Sequence, residues 1–288
     1  MQEKSTAVWH DSIIQGSKEW YKLRENRIGS SDAGPIIGAC KYKSPYKLWC
    51  QKQGLLPQDE ENEAMRWGKR LEPIARSVVS EMLNIDFRAN TVTNDWQIAS
   101  LDGVSSDRRH LLEIKCPMGP SDHECAMDGQ VPNHYKPQLM HIMHVCGMRE
   151  IYYFSYSKIS QKVIHFEQSD TELEKLLKAE KVFWDSLFDL NCPEPSEKDY
   201  TNRHDFEWTL LSDQWRDVKR QMESLEARED MLRDRLIELS DGKNSMGNGI
   251  RIQKVIRKGG YDYKKAAEST GINLEPYRKP SVEMWRIT

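Results

Sequence analysis

The stretch His110 to Cys116, HLLEIKC, constrains this chain more than any other. It reads as a β-strand of period two. Leu112, Ile114 and Cys116 face one way, and Leu111, Glu113 and Lys115 face the other. A carboxylate and an ammonium group therefore project together from one face. Asp102 precedes them on the adjoining segment, and a hairpin through GVSSDRR (103–109) brings it alongside. Two carboxylates and a backbone carbonyl form a hard, all-oxygen site suited to Mg²⁺. A lysine beside them orients or deprotonates an attacking water, and such a site serves phosphodiester hydrolysis.

An aspartate followed by ExK is common by chance, so the surrounding order of residues matters. Glu72, in GKRLEP, lies on or at the start of a long helix and offers a third carboxylate. Gln138, in HYKPQ, lies on the helix that follows the strand. The early segment EWYKLRENRIGSSDA brings Arg24, Arg27, Ser30 and Ser31 to a helix N-terminus, where free backbone N–H groups and the dipole favour phosphate.

The chain has 288 residues and a formal net charge of −3, which argues against a uniformly basic DNA-binding surface. It does not exclude a basic track on an acidic body. No apolar run approaches the length of a membrane span, and the first residues lack a secretory signal, so a cytoplasmic location without membrane contact is expected. The six cysteines contain no CxxC pair and predict neither disulfides nor an iron–sulfur cluster. His141, His144 and Cys146 fall in an apolar helical stretch and are expected as helix-face side chains rather than zinc ligands.

The periodicities predict an α/β protein with a central mixed sheet flanked by helices. Helices are expected over 17–26, from Ser31 onward, over 44–54, up to residue 83, over 134–147 and over 170–190. Strands are expected at 85–89, 96–102, 110–116, 150–157 and 161–168. Pro73 is expected only in a first turn or at a kink. The stretch NCPEPSEKD divides a core of residues 1–200 from an extension of residues 201–288. In that extension, positions 211, 215, 218, 222, 225, 229, 232, 236 and 239 form a heptad seam, apolar except at Glu229. It suits a long helix lying on its own domain or a coiled-coil contact with another segment or protein. A hairpin over 249–263, a short helix and a final strand over 282–288 complete a small α+β appendage. Residues 249–288 hold nine Lys or Arg against four Asp or Glu, interleaved with Tyr261, Tyr263, Tyr277 and Trp285, which suits either DNA contact or a solvated charged face.

WYKLR, IGSSDA, KYKSPYKLW, WGKRLEP, SLDG, LEIKCP and YKPQ, in this order, resemble the lambda-exonuclease or YqaJ-type viral recombinase family. These are phage alkaline exonucleases of the PD-(D/E)xK superfamily, and the resemblance spans most of residues 17–157. It implies a restriction-endonuclease-like core. Asp102, Glu113 and the Ile114 carbonyl are implied as metal ligands, with Glu72 at the second of two Mg²⁺ ions and Mn²⁺ as a substitute. Lys115 would activate water, and Gln138 would position Lys115 or the substrate. Arg24, Ser31 and Ser100 would hold a 5′ phosphate, and Trp20 is expected in the core rather than stacked on DNA. Leu101 stands where the superfamily has its proline.

The implied activity is 5′-to-3′ digestion of double-stranded DNA ends to mononucleotides. It would leave 3′ tails for recombination by strand annealing. A ring-shaped homo-oligomer, a trimer by preference, and a single-strand annealing partner are implied with it. A structure- or site-specific endonuclease on the same core, or a non-catalytic DNA-binding scaffold, is the competing expectation.

Overall fold

The computed structural model describes residues 7–256, 259–260 and 263–270. The chain divides into two compact units, Met1–Tyr200 and Thr201–Thr288. In chain order the first unit contains β1 (Val8–Trp9), α1 (Lys18–Glu25), β2 (Ile28–Gly29), α2 (Ser30–Ile36), α3 (Pro45–Lys52) and α4 (Glu63–Leu83). Then come β3 (Phe87–Asn94), β4 (Gln97–Ser105), β5 (Leu111–Lys115), α5 (Pro120–Met127), α6 (Lys136–Cys146), β6 (Glu150–Tyr156), β7 (Gln161–Glu167) and α7 (Asp170–Asp189). The strands form one mixed sheet in the order β1-β3-β4-β5-β6-β7, with β2 joining the start of β4. β5 runs parallel to β6 and β2 to β4, while the other pairs are antiparallel. This is the helix-flanked mixed sheet that the sequence periodicities imply.

The alternation along β5 sorts its side chains between two cores. Leu111 joins Leu101, Leu139, Ile142 and Tyr153 on the α6 side. Leu112 and Ile114 join Phe87, Phe154, Ala75 and Val79 on the α4 side. Sandwiched between helical layers, the sheet cannot slip by one residue without exposing an entire apolar row.

Local signals fix most helix ends. Ser17, Ser44 and Asn62 accept hydrogen bonds from the backbone N–H groups of Trp20, Lys47 and Met65, capping α1, α3 and α4. Pro73 lies inside the continuous α4 and not in its first turn. Proline removes one backbone donor, whereas the buried stripe Leu71, Ala75 and Val79 binds both halves of the helix to the sheet.

The strands around the site are longer than the sequence suggests. β3 and β4 cover 87–94 and 97–105, and they meet at a tight turn where Asp95 has φ 55°. The segment NTVTN resembles a turn in composition, yet Thr91 and Thr93 are buried in the ladder, and Thr93 Oγ1 lies 2.9 Å from His10 Nε2. The predicted loop 103–109 thus begins as strand. The short β1 and helix α5 were not anticipated.

The second unit contains α8 (Phe206–Leu239), capped by the Asp205 side chain, then β8 (Ser245–Gly247), β9 (Ile250–Ile252) and α9 (Tyr263–Thr270). The hairpin lies upstream of its predicted place. It turns at Asn248-Gly249, both at positive φ, an arrangement that Asn-Gly adopts readily. The expected strand 282–288, with Trp285, and residues Tyr261 and Tyr277 lie outside the described residues. No helix among the described residues is long and apolar enough to cross a membrane.

Candidate active site

A fork in the sheet creates the site. β4 and β5 pair only at Gly103 with Leu112 and Val104 with Leu111. Beyond these two pairs the strands separate, β4 continuing against β3 and β5 against β6. Asp102 and Glu113 stand where the next rung of the ladder would be. The Asp102 carboxylate takes that role for one donor, since its Oδ2 accepts from the Ile114 N–H at 2.7 Å. Gly103 permits the close approach of the last pair, because a Cβ there would lie 3.0 Å from side-chain atoms of both Leu112 and Phe87.

Glu113, Lys115 and Gln138 form a closed ring of hydrogen bonds. Lys115 Nζ donates to Glu113 Oε1 at 2.6 Å and to Gln138 Oε1 at 3.1 Å, and Gln138 Nε2 donates to the same Glu113 oxygen at 2.6 Å. Lys136 and Pro137 open α6 just before Gln138, so its first turn delivers this amide to β5. The Tyr135 ring covers Lys115, with Nζ 4.9 Å from its centroid. From α4, Glu72 pairs with Arg76, which also donates to the Asp102 carbonyl. Arg76 is a functional candidate that sequence reasoning missed. The signal was its position four residues after Glu72, on the same helix face.

The electrostatics are those of crowded, poorly solvated carboxylates. Burial, then the nearby Asp102 charge, pushes Glu113 up to about 8 despite Lys115. Burial also raises Asp102, and burial with the Asp102 charge raises Glu72. For Lys115, burial alone would favour the neutral amine, but Glu113 and Asp102 outweigh it and hold the group protonated. In this state Lys115 is a donor that orients a water or phosphate oxygen, not a base.

The donor chemistry fits a divalent cation. Glu113 Oε2 is buried and has no hydrogen-bond partner among the described residues, a lone pair that a cation would satisfy. Glu72, Asp102 and Glu113, together with Ile114, line one cavity of about 890 Å³. Among the described residues no three His, Cys, Asp or Glu side chains are yet gathered around one point. Glu72 is drawn to Arg76 and Glu113 to Lys115 and Gln138.

Arg24, Ser30, Ser31 and Ser100 line the same cavity. Arg24 Nη2 donates to Ser31 Oγ at 2.8 Å and meets Asp32 Oδ1 at 3.3 Å. Asp32 is a second residue that sequence reasoning missed. It is buried between Arg24 and Lys52, with Lys52 Nζ at 2.9 Å, and it accepts from the Gly29 N–H. Although burial opposes it, the two cations lower its pKa to about 2. Gly29 makes this possible, since a Cβ there would fall 2.7 Å from the Arg24 guanidinium. Trp20 is core, as expected, but its indole N–H donates to Ser100 Oγ at 2.9 Å and so fixes a cavity hydroxyl.

Arg27 does not reach the cavity. Its guanidinium is spent on the Leu23 and Asp95 carbonyls, at 2.8 and 3.1 Å, where it closes the end of α1 against the β3–β4 turn. His141 is a buried structural group: Nδ1 lies 2.7 Å from Glu180 Oε1, and Gln97 donates to the other Glu180 oxygen.

The helix-flanked mixed sheet that carries these residues is similar to the fold of solved alkaline exonucleases. A solved alkaline exonuclease, LHK-Exo from Laribacter hongkongensis, superposes with a TM-score of 0.52 and 23% identity, over 60% of this chain and 94% of that one. The chain is similar over residues 19–149 to the YqaJ-like viral recombinase domain. It is 29% identical over 195 residues to the uncharacterized protein YqaJ of Bacillus subtilis, covering 64% of this chain and 60% of that protein. It is 27% identical over 169 residues to protein D345L of African swine fever virus, covering 48% of each. The chain thus spans less than two thirds of the length of these relatives.

Proposed function

We propose that the chain is a Mg²⁺-dependent exonuclease that digests one strand of a DNA duplex from its 5′ end. The observation that carries this reading is the placement of two chemically distinct groups in one cavity: the Glu72, Asp102, Glu113 and Lys115 constellation, and the Arg24, Ser31 and Ser100 cradle. The first suits phosphodiester cleavage; the second suits a terminal phosphate, which a nuclease cutting within a strand has no need to hold. The alkaline exonuclease LHK-Exo, which shares the fold, has been solved in complex with dAMP.

Asp102, Glu113 and the Ile114 carbonyl would hold one Mg²⁺, and Glu72 would contribute to a second. When bound, the cations supply an acidified water and charge neutralisation at the phosphate. The protein's own groups do the rest. Arg24 and the hydroxyls of Ser31 and Ser100 seat the terminal phosphate, while Trp20 and Asp32 keep these groups in place. Gln138 holds Lys115 with its donor protons available to the attacking water or a phosphate oxygen. The chain supplies the resection step from which strand annealing starts, producing 5′-mononucleotides and a 3′ tail.

The test is digestion of a linear duplex labelled separately at each terminus, beside a covalently closed circle, with Mg²⁺ or with chelator. Early release of the 5′ label as mononucleotide, an intact circle and no reaction in chelator are expected. Cutting of the circle would assign an endonuclease instead, and inactivity with both Mg²⁺ and Mn²⁺ would leave only DNA binding.

A further inference from the structure

We propose that α8 associates with α8 of a second copy of this chain as an antiparallel pair. α8 has 34 residues and none of them is buried. Along it a seam alternates steps of three and four. One set of positions holds Trp208, Trp215, Met222, Glu229 and Leu236, and the other holds Leu211, Val218, Leu225, Leu232 and Leu239. Leu225 is 63% and Leu239 67% exposed, so most of this face is uncovered among the described residues, with β9 beside its Leu232–Leu236 part.

The seam distinguishes between the two orientations. In a parallel pair each residue meets its own copy: Trp208 on Trp208, Trp215 on Trp215, and Glu229 on Glu229 inside the interface. Arg228 would also flank Arg233 of the second copy on both edges. In an antiparallel pair the two sets of positions face each other. Trp208 then meets Leu239 of the second copy, Trp215 meets Leu232, Met222 meets Leu225, and Glu229 meets Val218. Each bulky or charged residue is thereby matched with an aliphatic one.

The edge charges agree. Lys219 of each copy comes beside Glu226 of the other, twice by symmetry. The ion pairs along α8 join Arg216 to Asp213, Arg220 to Asp217, Arg233 to Glu229 and Asp230, and Arg235 to Glu238. Among the described residues they leave both Lys219 and Glu226 unpaired. The unit's own shape fits as well. A groove of about 620 Å³ between α8 and β9, walled by Leu232, Leu236, Ile250 and Ile252, lies where Trp215 of the second copy arrives.

Sedimentation equilibrium of the full chain, with DNA absent, tests this. The wild type is expected to sediment as an even-numbered assembly. Leu225→Lys should halve its mass while leaving helix content by circular dichroism unchanged. Lys219→Glu and Glu226→Lys should each weaken association about tenfold, and the two together should restore it. A monomeric wild type, as would follow if the seam is covered by the chain's own tail or by another protein, overturns the proposal. So does a mass unaltered by Leu225→Lys. Failure of the double swap to restore association overturns the antiparallel arrangement.

Discussion

The Asp102 carboxylate accepts the Ile114 N–H at 2.7 Å and thereby closes a ladder position that the β4–β5 fork leaves open. A carboxamide can make the same hydrogen bond but carries no charge. Asp102→Asn is therefore expected to fold with unchanged or raised thermal stability, since it removes repulsion from Glu113 and Glu72. Its nuclease rate should fall by more than about 100-fold. Melting curves and single-turnover digestion check the two halves separately.

The pH response of the metal-free chain follows from Glu113. Its folded-state pKa of about 8 lies above the ordinary 4.5. Between those values the folded form binds more protons than the unfolded form, so stability falls as pH rises. The loss should be on the order of a few kcal/mol. Mg²⁺ should raise the melting temperature more at pH 8 than at pH 6, and Glu113→Gln should flatten both responses. A melting temperature insensitive to Mg²⁺ at pH 8 would rule out cation binding at this carboxylate.

Asp32 has the opposite sign. Its pKa of about 2 is below the ordinary 3.8, so the stability it contributes is present above pH 4 and lost as pH falls towards 2. Asp32→Asn should cost about 2 kcal/mol at neutral pH in urea denaturation. It should also loosen Arg24 and raise KM for 5′-phosphorylated duplex without a comparable change for hydroxyl-ended duplex.

Trp20→Phe keeps an aromatic ring in the core but removes the donor to Ser100 together with part of the ring volume. A stability loss of about 1 kcal/mol is expected. KM for phosphorylated ends should rise several-fold, with kcat nearly unchanged. A fall in kcat alone would show that Ser100 serves the cleavage step instead.

Glu180→Leu leaves His141 and Gln97 buried without their shared partner and should destabilise the chain by about 3–5 kcal/mol. At temperatures where the variant remains folded, its KM should equal that of the wild type. Denaturation and steady-state kinetics together distinguish this structural pair from the site residues.

The grouping of side chains on β5 was legible in the sequence because strand periodicity dictates which side chains share a face. Glu113 with Lys115 is a consequence of local geometry, whereas Gln138 reaches them from α6, beyond the unanticipated α5. Arg76 and Asp32 were not legible in the same way. Each acts across elements distant in sequence, Arg76 from α4 to β4 and Asp32 between α1 and α3. Arg27 shows the converse limit: a cation expected at a phosphate was instead needed by two backbone carbonyls. NTVTN and SMG (245–247) look like loops by composition, and only pairing with a neighbouring strand makes them extended.

The early parting of β4 and β5 has one further implication. Backbone amides that pair with each other are indifferent to ions, so a sheet zipped to its end would be sturdier and chemically inert. Stopping two rungs in turns a structural seam into a receptacle, with acidic side chains standing where carbonyls would otherwise have been sealed. Variation that lengthens or shortens this ladder by one rung would switch the receptacle off while leaving every acidic residue in place.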